Sequence, residues 1–170
     1  MLVERAANIT DIEFINSCIL YGARKGHYSF DAENPDMVKA MKRESRSVIV
    51  DGFLHDKRRA TATIFTLENN RIGTLIMCEV APNAMGYEIY AMSVAKKHQR
   101  KGYGGQMLDS VTRNFLYDNV LARCLPVSEV MKKLLKSRGF VFHGEDGEYD
   151  TYVKTGFDCR ITEEPMALRY

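Results

Sequence analysis

A basic, glycine-containing turn between a predicted strand and a predicted helix constrains this chain more than any other feature. The strand is predicted over Tyr87–Val94, and the helix begins at Gly104 and carries apolar side chains on one face. The N-terminus of a helix leaves backbone N–H groups without intrahelical partners, and glycines let an anion approach those donors closely. The turn therefore predicts a binding site for a phosphate or diphosphate group.

Positive charge around the turn supports the same interpretation. It comes from Lys96, Lys97, Arg100 and Lys101. Two common phosphate loops do not explain the pattern, because the chain has no G-x-x-x-x-G-K-[ST] sequence and Met107 stands where G-x-G-x-x-G requires glycine. The alternative is a tight turn whose basic side chains only face solvent.

The order of the other predicted elements indicates a mixed α/β fold. Strands are predicted over residues 2–5, 47–50, 61–67, 72–80, 87–94, 120–125, 140–143 and 149–154. Helices are predicted over 10–21, from 35 onward, over 104–117 and over 128–137, the first with a capping box of Thr10 and Glu13 and the second opened by Asn34-Pro35. Hairpins combined with strand–helix–strand crossovers predict a mixed, mostly antiparallel twisted sheet flanked by helices. We expect one domain over residues 1–156 and a C-terminal tail over 157–170.

Composition narrows the functional classes. The 170 residues are 45% hydrophobic and 27% charged, as in a globular domain, and a net charge of +2 is too small to argue for a nucleic-acid or membrane partner. No apolar run approaches the ~20 residues that cross a bilayer, and the N-terminus lacks a signal-peptide pattern. Scattered cysteines favour the reducing cytoplasm, and dispersed histidines provide no metal-site spacing.

The turn and its surroundings resemble the GNAT N-acetyltransferase superfamily. Gln99-x-x-Gly102-x-Gly104 is similar to the Q/R-x-x-G-x-G/A signature of that family, and the strand ending at Val94 stands at the family's distance in front of it. The segment Lys132–Phe140 resembles the family's closing helix, which usually ends in Gly-Phe. The resemblance implies a GNAT-like acyl-CoA N-acyltransferase fold with acetyl-CoA as co-substrate.

The same resemblance implies which residues bind the cofactor. The end of the strand would bind pantetheine through the backbone of Met92, Ser93 and Val94. The pyrophosphate would lie over the amides of Arg100, Lys101, Gly102, Tyr103, Gly104 and Gly105. Gln99 would shape the turn, and Ser128 takes the place where the family often has an asparagine that touches the cofactor arm.

Candidate catalytic groups are fewer. Glu88 lies eleven residues before Gln99, where GNAT proteins similar to histone acetyltransferases place a general base, and Glu79 is the fallback. Leu135 occupies the position of the family's usual general acid, a tyrosine. The candidates for the general acid are therefore Tyr149, Tyr152, Cys124 and solvent. No Cys-His-Asp constellation supports an acyl-enzyme, so direct transfer in a ternary complex is expected.

The loop after the first predicted helix, Gly22–Tyr28, lies where this fold usually builds its acceptor pocket. In the alternative interpretation, His27 and Tyr28 only cap the core. We expect a small-molecule or peptide amine as acceptor, no membrane or nucleic-acid partner, and a homodimer as the candidate assembly. Rival functions are a non-catalytic acyl-CoA sensor, a nucleic-acid-binding domain and an acetyltransferase acting on aminoacyl-tRNA.

Overall fold

The structure is a computed structural model that describes residues 2–156. Seven strands form one sheet in the order β1-β2-β3-β4-β5-β7-β6. Their bounds are β1 Val3–Ala6, β2 Ala60–Leu67, β3 Asn70–Glu79, β4 Tyr87–Val94, β5 Val120–Cys124, β6 Val141–Asp146 and β7 Tyr149–Lys154. Only the β4–β5 pair is parallel within this sheet; the other pairs are antiparallel.

Four helices cover the two faces of the sheet. Their bounds are α1 Ile12–Ala23, α2 Pro35–Val50, α3 Tyr103–Asn114 and α4 Glu129–Lys136. Ile15 and Val48 bring α1 and α2 into a core cluster on one face, whereas Met107 and Leu135 bring α3 and α4 into the cluster on the other face. The predicted mixed, mostly antiparallel sheet flanked by helices is confirmed. The predicted tail over 157–170 lies outside the described residues.

The prediction of a strand over residues 47–50 is wrong, because these residues form the last turn of α2. β-branched residues favour strands only weakly, and tertiary packing overrides that preference. Ser45 and Val48, three positions apart, are both buried and place one helical face on the core. The predicted start of α2 is confirmed, since Asn34 caps the helix and Pro35 is its first residue.

The predicted capping box of Thr10 and Glu13 is also wrong. Asn8 caps a short 3-10 helix over Ile9–Asp11 that leads into α1, and the Asp11 carboxylate accepts the Asn8 N–H at 3.0 Å. The Asp11 carboxylate also accepts two hydrogen bonds from Arg5, at 2.7 and 2.8 Å. The carboxylate thus ties β1 to the start of α1.

The centre of the sheet opens where β4 and β5 part. Their parallel pairing ends at Ile89 opposite Ala122, although both strands continue. In the same region the register of β3 with β4 shifts, so that Tyr90 is an extra residue of a β-bulge. A bulge bends its strand and increases the local twist. The bend directs the end of β4 away from β5.

No helix within residues 2–156 has the length and apolar character needed to span a bilayer.

We expect Asp11→Asn to lower the free energy of unfolding by about 1–2 kcal/mol at pH 7, a low value because Arg5 is partly exposed. The hydrogen bonds from Arg5 lower the pKa of Asp11 below its ordinary value. Its stabilisation is therefore present above the unfolded-state pKa and is lost as pH falls through the folded-state pKa. Urea denaturation at pH 7 and pH 3 should show the difference between wild type and variant shrinking at pH 3. The matched control is Glu33→Gln, which removes a carboxylate from an exposed ion pair and should change stability by less than about 0.5 kcal/mol at either pH.

Candidate active site

A cleft of about 1420 Å³ occupies the opening between β4 and β5. It runs from the glycine turn before α3, past the ends of both strands, to the face covered by α1 and α2. The part next to the glycine turn is called the turn end below, and the part next to α2 is called the α2 end. Predicted site residues from β4, the turn and α4 line this one cleft, so the fold brings most of them together.

At the turn end, the backbone is shaped for close approach by a ligand. Arg100 and Gly102 have φ angles of 60° and 78°, and no side chain caps α3, whose N-cap is Gly102. An added Cβ at Gly102 would meet no atom within 4 Å. At Gly104 it would touch only Leu134 and Val94, at 3.5 and 3.8 Å, so the space in front of these amides is open. The donors and the dipole of α3 favour an anion there.

The remaining residues of the turn frame this site. The side-chain amide of Gln99 donates to the Val94 carbonyl at 3.0 Å and fastens the turn to the end of β4. Lys101 is exposed, and Tyr103 opens α3 with its ring edge toward His98, 6.3 Å between centroids. The basic residues of the turn add positive charge to the surroundings of the open amides.

The end of β4 presents its backbone to the cleft at alternate residues. The Val94 carbonyl accepts from Gln99, and the Met92 carbonyl lies 3.5 Å from the Tyr28 hydroxyl, so both carbonyls face away from β3. Ser93, between them, directs its side chain toward the Tyr28 hydroxyl in the loop after α1. Each of these carbonyls has a second lone pair, which can accept a hydrogen bond from a ligand lying between the strands.

The loop after α1 crosses the cleft and contacts both of its sides. The Tyr28 hydroxyl is 2.8 Å from Ser93 Oγ on β4, and His27 Nδ1 is 3.1 Å from Ser128 Oγ at the start of α4. Sequence reasoning did not find these bridges, because a His-Tyr pair in a glycine-flanked loop has no characteristic spacing. We call residues 24–34 the crossing loop.

Glu88 lies buried between two arginines. Its Oε2 accepts from Arg58 at 2.6 Å, and its Oε1 accepts from Arg123 at 2.9 Å, with 4% of the residue exposed. Charge-assisted hydrogen bonds of this kind are shorter and stronger than hydrogen bonds between neutral groups. Glu79, the second candidate for the general base, accepts the backbone N–H of Arg59 at 3.2 Å. It is not among the residues that line the cleft.

A second carboxylate, Glu44, marks the α2 end of the cleft. It accepts the backbone N–H of His55 at 2.9 Å, pairs with His55 Nδ1 at 2.7 Å, and lies 3.4 Å from the Tyr90 hydroxyl. The hydrogen bond to Glu44 raises the pKa of His55, whose ring is largely exposed. Met37 and Met41 provide apolar surface beside the carboxylate. This end of the cleft can therefore hold a cationic group on an apolar stem.

Helix α4 places no acidic side chain in the lining of the cleft. Leu135 is fully buried in the core, and the α4 residues that line the cleft are Val130, Met131 and Leu134. Of the alternatives, Tyr149 lines the cleft beside Arg123, whereas Tyr152 is buried in the core and is absent from the lining.

The thiols that line the cleft are poorly suited to nucleophilic attack. Burial raises the pKa of Cys124 to about 12 and that of Cys18 to about 11. Thiolate, not thiol, is the reactive form, so both groups are largely unreactive near pH 7. Among residues 2–156, no group of three or more histidine, cysteine, aspartate or glutamate side chains is arranged to hold a metal ion.

Comparison with known proteins shows which fold surrounds this cleft. No protein-family profile matches the sequence, and no curated protein matches it. Solved structures do match: an acetyltransferase from Thermus thermophilus is 18% identical, with 91% of this chain and 96% of that chain covered and a TM-score of 0.68. Spermidine N-acetyltransferase from Vibrio cholerae, solved with CoA and spermine, is 15% identical over 89% and 92% of the two chains, with a TM-score of 0.67.

A third structure carries the family name. It is an acetyltransferase of the GNAT family from Desulfovibrio desulfuricans, 12% identical over 91% of this chain and 99% of that chain, with a TM-score of 0.66. The chain therefore has the GNAT fold, as the signature around Gln99 predicts.

We expect Arg58→Met to destabilise the protein by about 3 kcal/mol, because it removes one of two partners from a buried carboxylate. Urea denaturation measures the change. The control is Arg24→Met, which breaks an exposed ion pair with Glu33 and should change stability by less than about 0.5 kcal/mol. Equal stability of the two variants would mean that Glu88 does not depend on Arg58.

Proposed function

We propose that this protein is an acetyl-CoA-dependent N-acetyltransferase of the GNAT superfamily. The observation that carries the proposal is the cleft where β4 and β5 part, with the open amides of the glycine turn at one end. CoA has a diphosphate attached to a long polar arm. The amides suit the diphosphate, and the alternating backbone groups of β4 suit the arm.

The proposed contacts with the cofactor follow from the residues that line the cleft and the turn. The diphosphate would lie over the amides of residues 100–105, with Gln99 holding the turn. The pantetheine arm would pair with the backbone of Met92 and Val94. Ser128 would border the arm from the other side, although its hydroxyl already contacts His27. When bound, acetyl-CoA supplies the activated acetyl group as a thioester.

The acceptor is proposed to be a primary amine that enters from the α2 end. Glu44 supports this choice, because a carboxylate whose partner is an exposed histidine can attract an ammonium group. The amine would attack the thioester directly in a ternary complex. The high pKa of Cys18 and Cys124 supports direct transfer over an acyl-enzyme.

Glu88 is the proposed general base that takes the amine proton, directly or through water. Arg58 and Arg123 would hold the carboxylate in a fixed orientation at the cleft. The same two partners already occupy one acceptor position on each of its oxygens. Its contribution to the rate is therefore expected at the lower end of the usual range for acid–base catalysis, about 10²-fold.

The rival functions predict different outcomes in solution. A non-catalytic acyl-CoA sensor would bind CoA and acetylate no amine, and the lack of an acid on α4 gives this rival its support. A nucleic-acid-binding domain would bind RNA or DNA at physiological salt and would not bind CoA. An aminoacyl-tRNA acetyltransferase would release thiol only with charged tRNA.

The main test is thiol release from acetyl-CoA across a panel of alkylamines, polyamines, peptide N-termini and charged tRNA. We expect release with at least one primary amine, and Gly104→Val should lower CoA affinity about tenfold or more, because its side chain blocks approach to the amides. Calorimetry measures the affinity. Gly104→Ala is the matched control for folding, since its Cβ makes only ordinary contacts with Leu134 and Val94. Unchanged CoA affinity in Gly104→Val would remove the diphosphate site from this turn.

A separate test addresses Glu88. Glu88→Gln should keep CoA binding and lose about 10²-fold in turnover at pH 7. The loss should shrink as pH approaches ~10.4, the ordinary pKa of a lysine-like amine, because the acceptor then needs no base. Since the substitution also disturbs the buried ion pairs, Arg58→Met serves as the control and should lower turnover without this pH dependence. Wild-type turnover of Glu88→Gln at pH 7 would place the base elsewhere.

A further inference from the structure

The cleft contains a phenol that no part of the proposed function uses. Tyr28 lines the cleft from the crossing loop, and its hydroxyl lies 2.8 Å from Ser93 Oγ and 3.5 Å from the Met92 carbonyl. The pantetheine arm is proposed to pair with the backbone of Val94 and Met92, and its thioester end would lie on the side of Met92 because its diphosphate end lies at the glycine turn after Val94. The hydroxyl is therefore next to the position at which a thioester sulfur would lie.

Packing fixes the orientation of this ring. A Cβ on Gly22 would come within 2.6 Å of Tyr28 Cε2, so the ring lies directly on the backbone of α1 and depends on glycine there. The Tyr28 ring also contacts the ring of Phe30, with 6.3 Å between the centroids. A side chain whose orientation is fixed by packing is preorganised, and preorganised donors contribute most to catalysis.

The Tyr28 hydroxyl donates to the Met92 carbonyl at 3.5 Å, a long hydrogen bond that a closer acceptor in the cleft can replace. In the pair of Tyr28 and Ser93, either hydroxyl can be the donor. When Ser93 donates, Tyr28 accepts, and the Tyr28 proton is available to another acceptor. Burial also raises the pKa of Tyr28 to about 12, so that the group stays protonated over the pH range of most assays.

We propose that Tyr28 is the general acid that protonates the departing thiolate of CoA, positioned by Ser93. The inference rests on the proposed function and deepens it. The crossing loop would then provide the general acid. Helix α4 provides none, because Leu135, Met131 and Leu134 carry no acidic group.

The proton balance of the step is as follows. The amine nitrogen forms a bond to the thioester carbonyl carbon, and the C–S bond breaks with its electron pair going to sulfur. The sulfur takes the proton of Tyr28 Oη and leaves as the CoA thiol. The surplus proton of the nitrogen passes to Glu88 or to water, and solvent returns a proton to the phenolate. One proton leaves nitrogen and one reaches sulfur, so no further reactant is needed.

Tyr28→Phe is the first test, because it removes the hydroxyl and keeps the ring on Gly22. We expect kcat to fall about 10²-fold, with the KM for acetyl-CoA and the melting temperature little changed. Ser93→Ala should cause a smaller loss of kcat, as expected for a positioning residue. Tyr117→Phe, on an exposed tyrosine outside the cleft lining, is the matched control.

A second test reads out the sulfur contact without turnover. A donor to sulfur stabilises the thiolate, so the thiol pKa of bound CoA should be higher in Tyr28→Phe than in wild type. The ultraviolet absorbance of the thiolate measures it as a function of pH. Above that pKa, Tyr28→Phe should weaken binding of CoA and leave binding of desulfo-CoA unchanged, because desulfo-CoA has no sulfur to contact.

Two results would overturn the assignment. One is wild-type kcat in Tyr28→Phe, above all if Tyr149→Phe instead loses turnover, which would place the acid on β7. The other is an identical thiol pKa of bound CoA in Tyr28→Phe and wild type. If no amine releases thiol with the wild type, the proposed function fails, and the pKa and desulfo-CoA measurements still decide whether Tyr28 contacts the sulfur.

Discussion

The parting of β4 and β5 is the constraint on which the rest of the site depends. A parallel pair that stays paired leaves no room for a ligand and no free backbone groups, since each N–H and C=O then bonds within the sheet. Here the pairing stops at Ile89, and the bulge at Tyr90 turns the remainder of β4 away. The carbonyls of Met92 and Val94 consequently face a cleft. The turn that follows β4 then brings the start of α3 to one end of the same opening.

The ion pairs of Glu88 stabilise the sheet at the point where β4 and β5 separate. Glu88 pairs with Leu121 in the last stretch of the parallel ladder, one residue before the strands separate. Its carboxylate joins Arg123 of β5 to Arg58, which lies before β2. The ion pairs thus connect three segments at the point where backbone pairing ends. In such a network the cost of desolvating the charges is offset by their mutual attraction and hydrogen bonds, and the geometry of the carboxylate is fixed.

Most of the fold and the turn end of the cleft can be predicted from the sequence, because they depend on local signals. The bounds of β4 follow from its β-branched and aromatic residues, and the glycine turn follows from its spacing. Predictions failed where local preference competes with packing. Residues 47–50 look like a strand in isolation, yet Val48 is buried on a helix face. The contact between Tyr28 and Ser93 spans 65 positions in the chain, and no spacing rule relates two residues so far apart.

The two faces of β4 contact different elements, and these elements contribute differently to the proposed site. Met92 and Val94 direct their side chains into the core beneath α3 and α4, so that face supports the cofactor arm with packing alone. Ser93 directs its side chain to the opposite face, where the crossing loop supplies the Tyr28 hydroxyl and α2 supplies the Glu44 carboxylate. The proposed acid and the acceptor pocket would share this face, with the acid on the crossing loop and the carboxylate of the pocket on α2. Proton donation would then be available only when the loop is in place and water is excluded from the thioester.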